Sequence, residues 1–138
     1  MAHLINLKTF ADERGVLTVL DKVLPFDIKR IYYIHNVGQY KTRGGHCHFL
    51  TEEAMICMHG SCTVAIVSAT GDHTEYKLDN PYKTLVVEPG DWHEIYDFEN
   101  DAILMGIAST HYDHNDYSYQ PLNASITHDP LRKSETIK

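Results

Sequence analysis

The chain has 138 residues, 43% hydrophobic and 22% charged, which is the size and balance of one globular domain with a single core. Its formal net charge of −7 at pH 7 excludes the basic face that nucleic acid requires, but leaves room for a small anion held by a few local cations. No apolar run reaches bilayer-spanning length, and the opening "MAHLINLKTFADERG" lacks the basic, apolar and small-residue order of a secretory signal.

In chain order, strands are predicted at Gly15 to Asp21, Ile28 to His35, Glu53 to Gly60, Cys62 to Ser68, Thr84 to Pro89, His93 to Phe98 and Ala102 to Ser109. Each is short, rich in β-branched and aromatic residues, and bounded by Gly, Pro, Asn or Asp. Turns are predicted at Thr70 to Asp72 and Asp79 to Pro81. No segment sustains a helical period before the polar stretch Asn123 to Lys138, which is expected to be a short helix or an irregular tail. The spacing predicts one all-β domain, a small antiparallel sandwich or barrel. Side chains alternate in such a barrel, so every second residue can line a cavity.

The three cysteines, Cys47, Cys57 and Cys62, match no zinc spacing and read as reduced thiols of a cytoplasmic protein. Ten histidines is a high count, although His3, His73 and His128 lie in polar surroundings and read as solvated. His46 and His48, in "RGGHCH" (Arg43 to His48), are different. If that stretch is extended, both imidazoles face one side and Cys47 faces the other. Arg30, Tyr32 and Ile34 likewise share a side, with Lys29, Ile31 and Tyr33 opposite. Two such imidazoles can hold a metal ion or move a proton, and their spacing leaves both readings open.

From His46 the chain reads His46-x-His48, four residues, Glu53, six residues, Gly60, and later Pro89-Gly90-Asp91-Trp92-His93. The first part resembles the first motif of the cupin superfamily, the double-stranded β-helix or jelly roll barrels. The second resembles the second motif in part. In metal-binding cupins these positions are ligands, which implies His46, His48, Glu53 and His93 as a candidate set.

A narrower resemblance runs to about Leu122. "PFDIKRIYYI" (Pro25 to Ile34), "TRGGHCH" (Thr42 to His48), "CMHGSC" (Cys57 to Cys62), "EPGDWHEIYDF" (Glu88 to Phe98) and "ASTHYDHNDY" (Ala108 to Tyr117) occur in this order. Together they are similar to the nucleotide-sugar 3,4-ketoisomerases, cupin enzymes that act on dTDP-4-keto-6-deoxyglucose. This resemblance implies a cupin jelly roll over residues 1–138, whole or cut from a longer fusion protein, with no metal or redox cofactor. It implies a cytoplasmic homodimer that exchanges an N-terminal strand, for which Leu4 to Phe10 is the candidate edge strand. No nucleic acid or membrane partner is expected.

The implied reaction moves a ketone from carbon 4 to carbon 3 through an enediolate. Histidine suits it, since its ordinary pKa lies near operating pH. The resemblance makes His46 and His48 the acid–base pair. His46 is assigned the proton on carbon, and His48 the oxygens or carbon 4. Tyr32 and Arg14 are candidate donors to the enediolate. Arg30 and Arg43 are candidates for the diphosphate, with Tyr32 available to stack on thymine or sugar. Glu53 departs from the glutamine usual in relatives. It either restores the cupin ligand spacing or hydrogen-bonds a histidine and raises its basicity.

Arg14 and His93 are similar to the branch that gives dTDP-3-dehydro-6-deoxy-D-galactose. Such a product would feed an aminotransferase making 3-amino sugars for lipopolysaccharide O-antigens or S-layer glycans. Two other classes remain as alternatives. One is a metal-dependent cupin oxygenase using His46, His48, Glu53 and His93. The other is a sugar-binding barrel without catalysis.

Overall fold

The computed structural model describes residues 1–122; the expected tail at Asn123 to Lys138 lies outside the described residues. The strands are β1 (His3–Asn6), β2 (Lys8–Asp12), β3 (Gly15–Val19), β4 (Arg30–Ile34), β5 (Arg43–His48), β6 (Glu53–Val67), β7 (His73–Leu78), β8 (Lys83–Val87), β9 (Trp92–Ala108) and β10 (Tyr117–Ser118). A 3-10 turn, His114–Asp116, precedes β10. One sheet runs β1-β8-β6-β9-β5-β10, with β4 also on β9 and β7 also on β6; β2 and β3 form a separate hairpin. All pairings are antiparallel, and the curled sheet forms a cupin-like β barrel.

Two strands are longer than the sequence predicts. The expected break at Gly60 is a bend inside β6, and the expected break between Phe98 and Ala102 is a bend inside β9. The register between β6 and β9 shifts at Cys57/His59, His59/Ser61 and Ser61/Thr63. Opposite these shifts, Asp97, Asn100 and Asp101 take left-handed backbone conformations, which short polar residues tolerate best. Pairing therefore survives the bend. Glu53 to Met55 pairs with β8, and Cys62 to Val67 pairs with β7, so β6 serves both ends of the barrel wall.

The predicted alternation explains the core. Met55, Cys57, Cys62, Val64, Ile66, Leu78, Leu85, Val87, Ile95 and Leu104 pack together inside. Truncating any of the large members to Ala costs roughly 2–5 kcal/mol in a comparable core. Leu7, Ala54, Ile56 and Ile107 form a second cluster on the outer face, covered by Leu20, Val23, Leu24 and Phe26. Strand β7, "HTEYKL", was not predicted because its exposed positions are polar and only Leu78 is buried. No helix among the described residues is long and apolar enough to cross a membrane.

Candidate active site

A cavity of about 360 Å³ opens between β4, β5, β6, β9 and the segment leading to β10. Its walls include Arg30, Tyr32 and Ile34 from β4, Arg43 and His46 from β5, Glu53 from β6, and His93 and Ile95 from β9. On β4, Arg30, Tyr32 and Ile34 turn inward and Ile31 turns to solvent as the parity predicts, while Tyr33, expected on the opposite side and largely exposed, also borders the cavity. Cys47 turns away from the cavity and packs with Val67 and Trp92.

Two glycines make the site's geometry possible. Gly44 has φ 82°, and a Cβ there would meet the His93 carbonyl oxygen at 2.9 Å. Without a side chain, β5 rides close against β9, and the bulge between Gly44 and His46 sets His46 directly opposite His93. Gly106 on β9 faces Tyr32 in register and leaves the space that the phenol ring fills.

Three imidazoles meet here. The His46 ring lies 4.7 Å from His93 and 5.1 Å from His48, both edge to face. Burial, then repulsion from His93 and His48, pushes the His46 pKa down to about 3. Burial likewise lowers the His93 pKa. His93 Nδ1 lies 3.1 Å from the Asp91 carbonyl, which only accepts, so Nδ1 carries the proton and the bare Nε2 faces Glu53 Oε2 at 3.6 Å. Glu53 Oε1 accepts from the Tyr32 hydroxyl at 3.0 Å and stands 3.6 Å from His48 Nε2. Burial opposes the charge on Glu53, but the contact with His48 and then the charge that His93, His48 and His46 carry when protonated outweigh it and hold its pKa down to about 2. Burial and the Glu53 charge push the Tyr32 phenol well above its ordinary value, which keeps it a proton donor.

The predicted residues are not all at the surface of the cavity. His48 is 3% exposed and lies behind the Tyr117 ring, at 4.5 Å, where it touches His46 but does not line the cavity. Arg14 stands at the tip of the β2–β3 hairpin, paired with Asp12 at 2.6 Å and apart from the cavity within one chain. Sequence reasoning gave no role to Tyr112, Tyr117, Tyr119 or Asp116, although "ASTHYDHNDY" contains three of them. The tyrosines line one wall, and the Arg30 guanidinium lies 5.7 Å over the Tyr112 ring. Arg30 Nε is buried without a hydrogen-bond partner, free to meet an incoming oxyanion.

This arrangement matches known proteins. The sequence profile of the family FdtA, described as WxcM-like, C-terminal, matches residues 1–124. The chain belongs to this WxcM-like family. It is 41% identical over 118 residues to TDP-4-oxo-6-deoxy-alpha-D-glucose-3,4-oxoisomerase of Aneurinibacillus thermoaerophilus, covering 84% of each chain. A double mutant of the 3,4-ketoisomerase QdtA from Thermoanaerobacterium thermosaccharolyticum, solved with TDP, superposes with a TM-score of 0.82. There the identity is 37%, over 86% of this chain and 87% of the other. A histidine-to-asparagine mutant of QdtA, solved with TDP-4-keto-6-deoxyglucose, gives 0.82 at 35% identity over 86% and 87%.

The wider cupin fold often holds a metal, and an ion requires several ligand atoms converging on one point. As arranged here, no three His, Cys, Asp or Glu side chains among the described residues form a group that could hold a metal ion. His48 already spends Nδ1 on Asp116, and the His48 and His93 Nε2 atoms face opposite oxygens of Glu53. As arranged, these residues do not form a ligand set for an ion.

Proposed function

We propose that this WxcM-like protein is a TDP-sugar 3,4-ketoisomerase that converts dTDP-4-dehydro-6-deoxy-D-glucose to dTDP-3-dehydro-6-deoxy-D-galactose without a metal. The observation that carries this is the neutral His46 ring facing the cavity beside the Tyr32–Glu53 pair. The hydrogen on carbon 3 of a 4-keto sugar is acidified by the carbonyl, and a buried neutral imidazole can take it. Tyr32 donates to the developing enediolate oxygen. The hydrogen removed from carbon 3 of the substrate and the hydrogen delivered to carbon 4 of a galacto-configured product lie on one face of the ring. A single base, His46, can therefore remove the first and deliver the second. The hydroxyl on oxygen 3 gives its proton to Glu53, which returns one to Tyr32 after Tyr32 has protonated oxygen 4, with His48 behind Glu53 on the same path, so that no net proton is gained or lost.

Arg30 and Arg43 serve the diphosphate, and the tyrosine wall serves the flat thymine. The galacto outcome rests on Arg14 and His93. Arg14 takes part if the β2–β3 hairpin is exchanged between two copies, which the exposure of Phe10 and Leu17 (52% and 62%) supports. Three buried free cysteines fit a cytoplasmic setting.

The deciding experiment incubates the chelator-treated protein with TDP-4-keto-6-deoxyglucose in deuterium oxide and follows carbons 3 and 4 by NMR. The expected product is the 3-keto galacto sugar. No exchange and no product would leave only a binding protein, and activity restored solely by iron or manganese would favour the oxygenase. His46→Asn should abolish turnover while TDP still binds.

A further inference from the structure

We propose that Asp116 is a positioning residue that fixes the ring tautomer of His48. The inference builds on the ketoisomerase reading, in which His48 stands behind Glu53 on the path of the oxygen-bound proton.

His48 Nδ1 lies 3.2 Å from Asp116 Oδ2, deep behind the cavity wall. The same carboxylate accepts the backbone amides of Phe49 at 3.1 Å, Leu50 at 2.7 Å and Thr51 at 3.2 Å, and the Thr51 hydroxyl closes on Oδ2. Every other group on Asp116 is a donor, so its oxygens only accept. Burial opposes its charge, but the Thr51 hydroxyl, the Leu50 amide and the His48 ring outweigh burial and hold its pKa below the ordinary value. An acceptor facing Nδ1 requires the hydrogen to sit there. Whenever the His48 ring carries a single proton, its lone pair then falls on Nε2, which has no hydrogen-bond partner of its own and faces Glu53. That orientation lets His48 trade a proton with the Glu53–Tyr32 pair. The opposite tautomer would point a fixed N–H at Glu53 and could accept nothing from it.

A purely structural role would be to staple the segment before β10 onto the end of β5. The two roles separate by substitution. In Asp116→Asn the amide must turn its NH₂ toward some of these donors. If its oxygen keeps the Phe49 and Leu50 amides, the NH₂ faces Thr51 and His48 Nδ1. The hydroxyl can rotate and the ring can move its proton to Nε2, so this orientation meets the least opposition and reverses the tautomer. Thr51→Val weakens the staple but leaves the contact with the ring.

The test is ring-nitrogen NMR of ¹⁵N-histidine-labelled, ligand-free protein, with steady-state kinetics on the TDP-4-keto sugar. Wild type and Thr51→Val should both carry the His48 proton on Nδ1. Asp116→Asn should carry it on Nε2, with kcat lower by roughly 10²–10⁴-fold and KM changed by only about two- to three-fold. Wild-type His48 protonated on Nε2 overturns the proposal, even if Asp116→Asn does not fold. A kcat loss no larger than that of Thr51→Val also overturns it. The tautomer is read without substrate, so a wild type with Nδ1–H and no turnover would defeat the ketoisomerase reading while supporting Asp116 as the group that sets the ring.

Discussion

Gly106 on β9 and the ring of Tyr32 on β4 share one space: a methyl group on Gly106 would fall inside the phenol. Tyr32 can reach Glu53 only because the residue across from it has no side chain. Gly106→Ala must therefore push the phenol off its partner or bend β4 away from β9. The expected result is a stability loss of roughly 1–3 kcal/mol, as for other overpacked sites, measured by urea denaturation. Turnover should fall at least about tenfold, since the donor to the enediolate is displaced. Unchanged kcat would remove Tyr32 from the reaction.

Acid should destabilise the fold in two overlapping windows. The folded-state pKa of His46 lies near 3 against 6.5 for a free side chain, and that of Glu53 near 2 against 4.5. Between each pair of values the unfolded chain binds a proton that the folded chain refuses, so stability rises with pH. Unfolding free energy should fall as pH drops below about 6.5, by at most ~1.4 kcal/mol per pH unit for each group, and more steeply below 4.5. His93, also lowered, adds to the upper limb. Urea melts across pH 3 to 7 check this, and His46→Asn should flatten the limb above 4.5. Stability that rose on acidification would contradict the buried, neutral ring.

Phe10 and Leu17 stand opposite each other on the β2–β3 hairpin, both largely in solvent. If two copies exchange this hairpin, Phe10→Ser with Leu17→Ser should weaken the dimer at least about tenfold, or ~1.4 kcal/mol, in sedimentation equilibrium. Turnover should fall with dimer content, because Arg14 rides at the hairpin's tip. A wild-type monomer at micromolar concentration would end the exchange idea.

The strands that face the cavity were legible because their alternation is strict: Arg30, Tyr32 and Ile34 on one side, and His46 with Cys47 turned away. The bends at Gly60 and at Asp97 to Asp101 were read as strand ends, since sequence marks a turn residue and not whether pairing resumes beyond it. His48 was placed on the cavity from its parity with His46. Parity gives the side of a strand but not the depth, and Tyr117 arrives from far along the chain to cover the ring. Asp116 escaped for the same reason: its partner His48 lies 68 positions earlier, a distance no local pattern spans.

That separation bears on how the protein comes to life. Short-range structure such as the β2–β3 hairpin forms early and at little entropic cost, whereas joining β10 to β5 means closing a long loop. The His48–Asp116 contact thus exists only once that loop has closed, and turnover itself reports that the two distant stretches have met.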